Sequence, residues 1–141
     1  MKFYFIELTH KISGKVFYKF GITQSSDVLN RFIDIYPERK GYQNFNIRVL
    51  FSKKLNESDA EYLEETFLDM YPKIKNISSI LKDDFDYNFK NTSGLSEWRI
   101  LGVSQKNSLL KILFNKTDFN NLPGWNFLDH WDQNKLVKVL S

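Results

Sequence analysis

Cysteine is missing from this chain altogether, and histidine occurs only twice in 141 residues. Without thiols there is no disulfide framework, no thiolate zinc site and no cysteine nucleophile, so any bound metal must be held mainly by oxygen. Long apolar runs are also missing: none approaches the roughly 18 to 20 residues that a membrane-spanning helix requires. The opening MKFYFIELTH lacks the apolar core and small-residue cleavage site of a signal peptide. The expectation is a soluble, cytoplasmic protein with no membrane partner. Neither a phosphate-binding glycine loop nor a nucleophile elbow occurs, and there is no repeat or low-complexity run.

What is present is an ordinary globular balance, 42% apolar and 26% charged, with thirteen phenylalanines and seven tyrosines. The charge is unevenly placed. Residues 1–54 hold ten Lys/Arg against four Asp/Glu, whereas the remainder holds ten against thirteen. A basic first half points to a polyanionic partner, because phosphate neutralisation dominates nucleic-acid affinity. The plainer reading is that many soluble proteins are basic by as much as the net +3 here.

Residues 2–8 and 16–22 are aromatic-rich runs joined by THKISGK, which reads as an antiparallel hairpin. From Ser25 the period changes: Val28, Leu29, Phe32, Ile35 and Tyr36 recur at helical spacing, Ser25 or Ser26 can cap, and Pro37 stops the run. The spacing predicts a helix over 26–36. NFNIRVLFSKK reads as a third strand, with Phe45, Ile47, Val49 and Phe51 on one face and Asn46, Arg48 and Leu50 on the other. A second helix follows, capped by Asn56 with Asp59 three residues on, and running to Tyr71 before Pro72. Residues 75–94 loosen, SEWRILGV tightens, and a third helix is predicted over Ser104–Phe114.

The second helix holds the most informative carboxylate. Ala60, Leu63, Phe67, Met70 and Tyr71 form its core stripe, and Glu64 falls about 40° from Ala60, against that stripe. Glu61 and Glu65 fall at about 100° and about 140°, where solvent explains them. An acid beside the core needs a cation, a donor or a metal, unless it simply reaches past Leu68 into water.

FYFIEL, then FYKFGIT, an arginine at Arg31, a third strand and a helix reading LEETFL together resemble the GIY-YIG nuclease superfamily. The closer likeness is to its phage and bacterial branch, whose second motif reads Lys-Ile-Gly-Ile-Thr. In this resemblance Tyr4 takes the place of the first-motif tyrosine, Gly21 is the motif glycine, Arg31 the helix arginine and Glu64 the metal-binding glutamate. Lys19 stands where the second-motif tyrosine would be, and Arg31 lies ten residues after Gly21, somewhat beyond the common spacing. SGLSEWRIL is similar to the Glu-Trp-aromatic strand that closes this branch's domain. The motifs are short, so their order and spacing carry the likeness, over 2–71 best.

The resemblance implies an α+β fold with a central three-stranded antiparallel sheet flanked by helices, in a domain over 1–103; beyond Ser104 it implies nothing specific, and a helical appendage packed on or extending that domain is expected over 104–141. It implies a Mg²⁺-dependent endonuclease acting on DNA, with Mn²⁺ as a substitute, in the cytoplasm of the host if the gene is phage-borne. Glu64 would hold the metal together with waters and a phosphate oxygen. Tyr4 would take, or help orient the group that takes, a proton from the attacking water. Lys19 would favour the phenolate or contact phosphate, and Arg31 would neutralise charge in the transition state. Tyr18, Gly21, Glu97, Lys53 and Lys54 complete the expected substrate contacts, although Tyr18 points to the opposite strand face if pairing is regular.

Each residue also has a plain reading: Tyr4 as a strand aromatic, Lys19 as a solvated charge, Glu97 as a partner for Arg99. For the whole chain the alternatives are a catalytically inactive fold relative that binds nucleic acid or protein, and a phage interaction protein whose Asn, Lys, Phe and Tyr richness reflects an AT-rich genome. No DNA-reading motif follows the core, so specificity would be low or come from a protein partner. Two metal-like motifs fail. In DFDYNF from Asp84, Phe89 and Leu95 occupy the glycine and glutamate positions of a calcium loop. In DHWD, Asp129, His130 and Asp132 offer one histidine in a polar aromatic tail, more in keeping with a structural or solvated group.

Overall fold

A computed structural model describes residues 1–32, 37–77, 79–81, 94–128 and 130–141, with backbone alone at 37–40, 127, 130 and 131. The first hairpin is as the alternation predicts: strand β1 (Lys2–His10) pairs antiparallel with β2 (Val16–Thr23), in a register that sets Tyr4 opposite Gly21. The turn is closed by His10 N–H donating to Lys15 O at 2.8 Å. Gly14 completes it with a φ of 75°, the left-handed conformation that glycine adopts without strain.

Strand β3 (Phe45–Lys54) pairs with the other edge of β1, and a two-residue strand β4 (Trp98–Arg99) pairs with β2 at Tyr18 and Lys19. The sheet therefore has four antiparallel strands in the order β3-β1-β2-β4, where three were expected. A bulge corrects the predicted face of β3. Phe5 pairs with Phe51 but Ile6 with Val49, so Leu50 is the extra residue and the alternation resets there. Phe45, Ile47 and Val49 line one face, while Phe51 joins the other.

That other face is sealed by helix α1 (Glu57–Met70), for which Asn56 Oδ1 accepts from Asp59 N–H at 2.8 Å, the cap that the sequence suggests. Ala60, Leu63 and Phe67 are fully buried against Phe3, Phe5 and Phe20. The rings stack in a layer, with centroids 4.9 Å apart for Phe5–Phe20 and 5.7 Å for Phe20–Phe67.

Helix α2 (Val103–Asn115) lies where the third helix was predicted; Gln105 Oε1 accepts from Gly102 N–H at 2.8 Å at its start. Helix α3 (His130–Leu140), for which no bounds were predicted, falls within the stretch 104–141 expected as a helical appendage. Leu109, Ile112 and Leu113 of α2 and Leu136, Val139 and Leu140 of α3 join the same cluster as Phe3 and Phe20. The C-terminal segment thus completes the core of the sheet's first face.

The second face packs on shorter pieces. The predicted helix over 26–36 is instead a 3₁₀ turn, Val28–Arg31, capped not by a serine but by Asp27, whose Oδ1 accepts from Leu29 N–H at 3.0 Å. Positions 33–36 lie outside the described residues. A second 3₁₀ segment, Pro37–Asn44, brings in Tyr42, and residues 77 and 79–81 are helical and bring in Leu81. Tyr4, Ile6, Phe17, Val28, Phe32, Tyr42, Phe45 and Trp98 form this core. Among the described residues no helix is long and apolar enough to cross a membrane.

Candidate active site

The hairpin register explains the motif glycine. A Cβ on Gly21 would sit 2.2 Å from the Tyr4 hydroxyl oxygen and 2.4 Å from Cζ, so the phenol lies directly across β2, where no other residue leaves room. Tyr4 is fully buried, its ring edge-on to Phe32 at 5.8 Å. Among the described residues its hydroxyl has no hydrogen-bond partner. Burial pushes its pKa well above the usual phenol range; the Arg31 guanidinium offsets part of the rise without reaching hydrogen-bonding geometry, and Glu97 and Tyr42 add to it.

Lys19 lies two residues before Gly21 on the same face and is 1% exposed. Its Nζ is held by Glu97 Oε2 and stands 5.7 Å from the centre of the Tyr4 ring. Burial pulls the Lys19 pKa down, while the Glu97 carboxylate works in the opposite direction. The predicted alternative, Glu97 paired with Arg99, is not what forms.

Glu97 reaches Lys19 from the 3₁₀ turn Leu95–Glu97, just ahead of Trp98, which pairs with Lys19 across the β2–β4 ladder. Gly94 opens that turn with φ at 77°, and a Cβ there would lie 3.0 Å from Lys19 Nζ, 3.1 Å from Tyr42 Oη and 3.4 Å from Glu97 Oε2. The loop is pressed onto the site, and only glycine fits both the torsion and the space. Trp98 Nε1 donates to Tyr42 Oη at 3.3 Å, which fixes that second phenol beside the ion pair.

Glu64 comes from α1, on the far side of β2. Because β4 pairs only with Tyr18 and Lys19, the outer edge of β2 beyond Lys19 is unpaired among the described residues, and the carboxylate is close enough to Glu97, Lys19 and Arg31 to interact with them electrostatically. It is half-buried and makes no ion pair or hydrogen bond among the described residues. Its pKa is raised by burial first and then by Glu97, with Lys19 and Arg31 opposing. Arg31, at the end of its 3₁₀ turn, acts electrostatically on Tyr4, Lys19 and Glu64 alike.

Tyr4, Lys19, Gly21, Arg31, Glu64 and Glu97, scattered along the sequence, are therefore gathered into one place, and the other three expected contacts are not. Tyr18 lies on the opposite face, stacked on Phe5 at 5.7 Å, with its hydroxyl pKa raised by burial and by Glu7. Lys53 donates to the carbonyls of Leu140 and Ser141, each at 3.3 Å, at the end of α3. Lys54 is exposed at the end of β3. Sequence reasoning missed Tyr42 and Gly94; the Ser-Gly pair before LSEW was the available signal for the latter. DFDYNF and Asp129 lie outside the described residues, as does the His130 side chain.

Two carboxylates and two cations balance one another here around an orphaned hydroxyl. Among the described residues no group of three or more His, Asp or Glu could hold a metal. The donor set fits an ion of the magnesium type, which takes one or two carboxylates and fills its remaining positions with water and substrate phosphate. Glu64, desolvated and without a partner among the described residues, is the available ligand. Comparison of the chain with protein-family models, with curated proteins and with solved structures gives no match.

Proposed function

We propose that the protein is a metal-dependent endonuclease of the GIY-YIG type that hydrolyses phosphodiester bonds in DNA. The observation that carries this reading is the convergence of Tyr4, packed over Gly21, with Lys19, Arg31, Glu64 and Glu97. Mg²⁺, bound by Glu64, would supply charge stabilisation at the phosphate and acidify the attacking water. Arg31, with no carboxylate bound to it among the described residues, faces the phosphate and neutralises charge as it builds.

Tyr4 works as a neutral phenol. Its raised pKa and the commitment of Lys19 to Glu97 remove the expected phenolate, so the hydroxyl orients the water or a phosphate oxygen by hydrogen bonding. Lys19 and Glu97 hold the wall against which that phenol is set. The expected outcome is nicking of supercoiled plasmid by the purified protein with Mg²⁺ or Mn²⁺, abolished by chelation. Absence of cleavage across duplex, nicked and branched substrates would count against it.

One observation favours a rival. Lys19 is buried and already neutralised, which also suits a fold relative that binds DNA or protein without cutting. That module would show DNA affinity indifferent to metal and no cleavage.

A further inference from the structure

We infer that Arg99 is a positioning residue for this site, fixing the helix that carries Glu64 against the strand that follows Glu97. The inference rests on Glu64 being the metal ligand. Arg99 is 1% exposed and, among the described residues, its guanidinium donates to backbone carbonyls alone. Nε donates to Tyr71 O at 3.1 Å and Nη2 to Leu68 O at 3.1 Å, while Nη1 donates to Ser96 O at 2.6 Å and Trp98 O at 2.8 Å.

Two of these carbonyls belong to the C-terminal end of α1 and two to the turn and strand of β4. A helix end leaves carbonyls without intrahelical partners and carries partial negative charge, and α1 has no basic residue in its last turn. The missing cation comes from β4. The planar fork of an arginine can bond both groups at once in a fixed geometry, which an ammonium cannot reproduce.

The consequence for the site follows from spacing. Leu68 lies one helical turn after Glu64, and Glu97 lies two residues before Arg99, next to Trp98 on the Lys19 ladder. Arg99 is thus the direct link between the element that carries one carboxylate and the element that carries the other. Its guanidinium touches neither, so it acts by holding them apart at a set distance.

The test is Mn²⁺ binding without DNA, read from the electron paramagnetic resonance of free ion, on the full chain as wild type, Glu64→Gln, Arg99→Met and Arg99→Lys, with folding checked by circular dichroism. Glu64→Gln should lose the site. Arg99→Met should weaken Mn²⁺ about tenfold, the scale typical of groups that orient metal ligands, with Arg99→Lys between it and wild type. A merely structural arginine would lower the melting temperature and leave Mn²⁺ affinity of the folded protein unchanged, and that result would overturn the inference alone. If Arg99→Met does not fold, Arg99→Lys decides: wild-type affinity overturns the inference and weakened affinity supports it. Unchanged Mn²⁺ binding in Glu64→Gln would overturn the nuclease reading and this inference together.

Discussion

The two faces of the sheet are made by the same three long strands, yet they solve opposite problems. On one, Phe3, Phe5, Phe20 and Phe67 stack into a continuous aromatic layer closed by three helices. On the other, Tyr4 and Lys19 are as deeply buried, but they carry a hydroxyl and an ammonium into the interior, under 3₁₀ turns and a glycine-bearing loop. The first face gains from area removed from water. The second gives up part of that gain to keep polar groups desolvated and close together, the condition under which electrostatics act strongly on a bound substrate.

The largest expected effect on stability comes from breaking the sealed face. Phe67→Ala should destabilise the protein by about 3–5 kcal/mol in urea melts. Next is Glu97→Gln on the polar face, which strands a buried ammonium. It should destabilise by about 3 kcal/mol near neutrality, the low end of the range for a broken buried pair. The low end applies because the Glu97 side chain is 29% exposed. The sign with pH follows from Lys19, whose folded-state pKa lies below its ordinary value of 10.5. Between the two values the unfolded chain holds more protons, so stability rises with pH. Losing Glu97 widens that window, and the deficit of Glu97→Gln should shrink as pH is raised toward 10.5.

The smallest change in stability has the opposite sign. Tyr4→Phe removes a buried hydroxyl that has no partner among the described residues, and should stabilise the fold by about 1 kcal/mol while cleavage falls. A gain in stability coupled to a loss of activity would separate this face from the other more sharply than any loss could.

The sealed face was the more legible from sequence, because α1 announces its stripe by period and its cap by Asn56 and Asp59. The same period placed Glu64 beside the core. Strand β3 misled at Phe51, since a one-residue bulge between two buried faces leaves no compositional mark. The stretch after Gly21 misled for a different reason: Val28, Leu29 and Phe32 fit a helix, but Asp27 caps a 3₁₀ turn that is as compatible with those spacings over one turn. Tyr42 and Gly94 were hidden because their roles arise from long-range approach to Lys19. Arg99 read as a partner for its neighbour Glu97, whereas the Glu97 carboxylate turns to Lys19 and the Arg99 guanidinium to the end of α1.

The measurement that bears most directly on the convergent site is plasmid nicking by Glu64→Ala beside Glu61→Ala, with DNA binding followed in parallel. Loss of cleavage by about 10²-fold or more in Glu64→Ala, with DNA still bound and the exposed Glu61→Ala as active as wild type, is the predicted result. Equal cleavage by the two variants would contradict it.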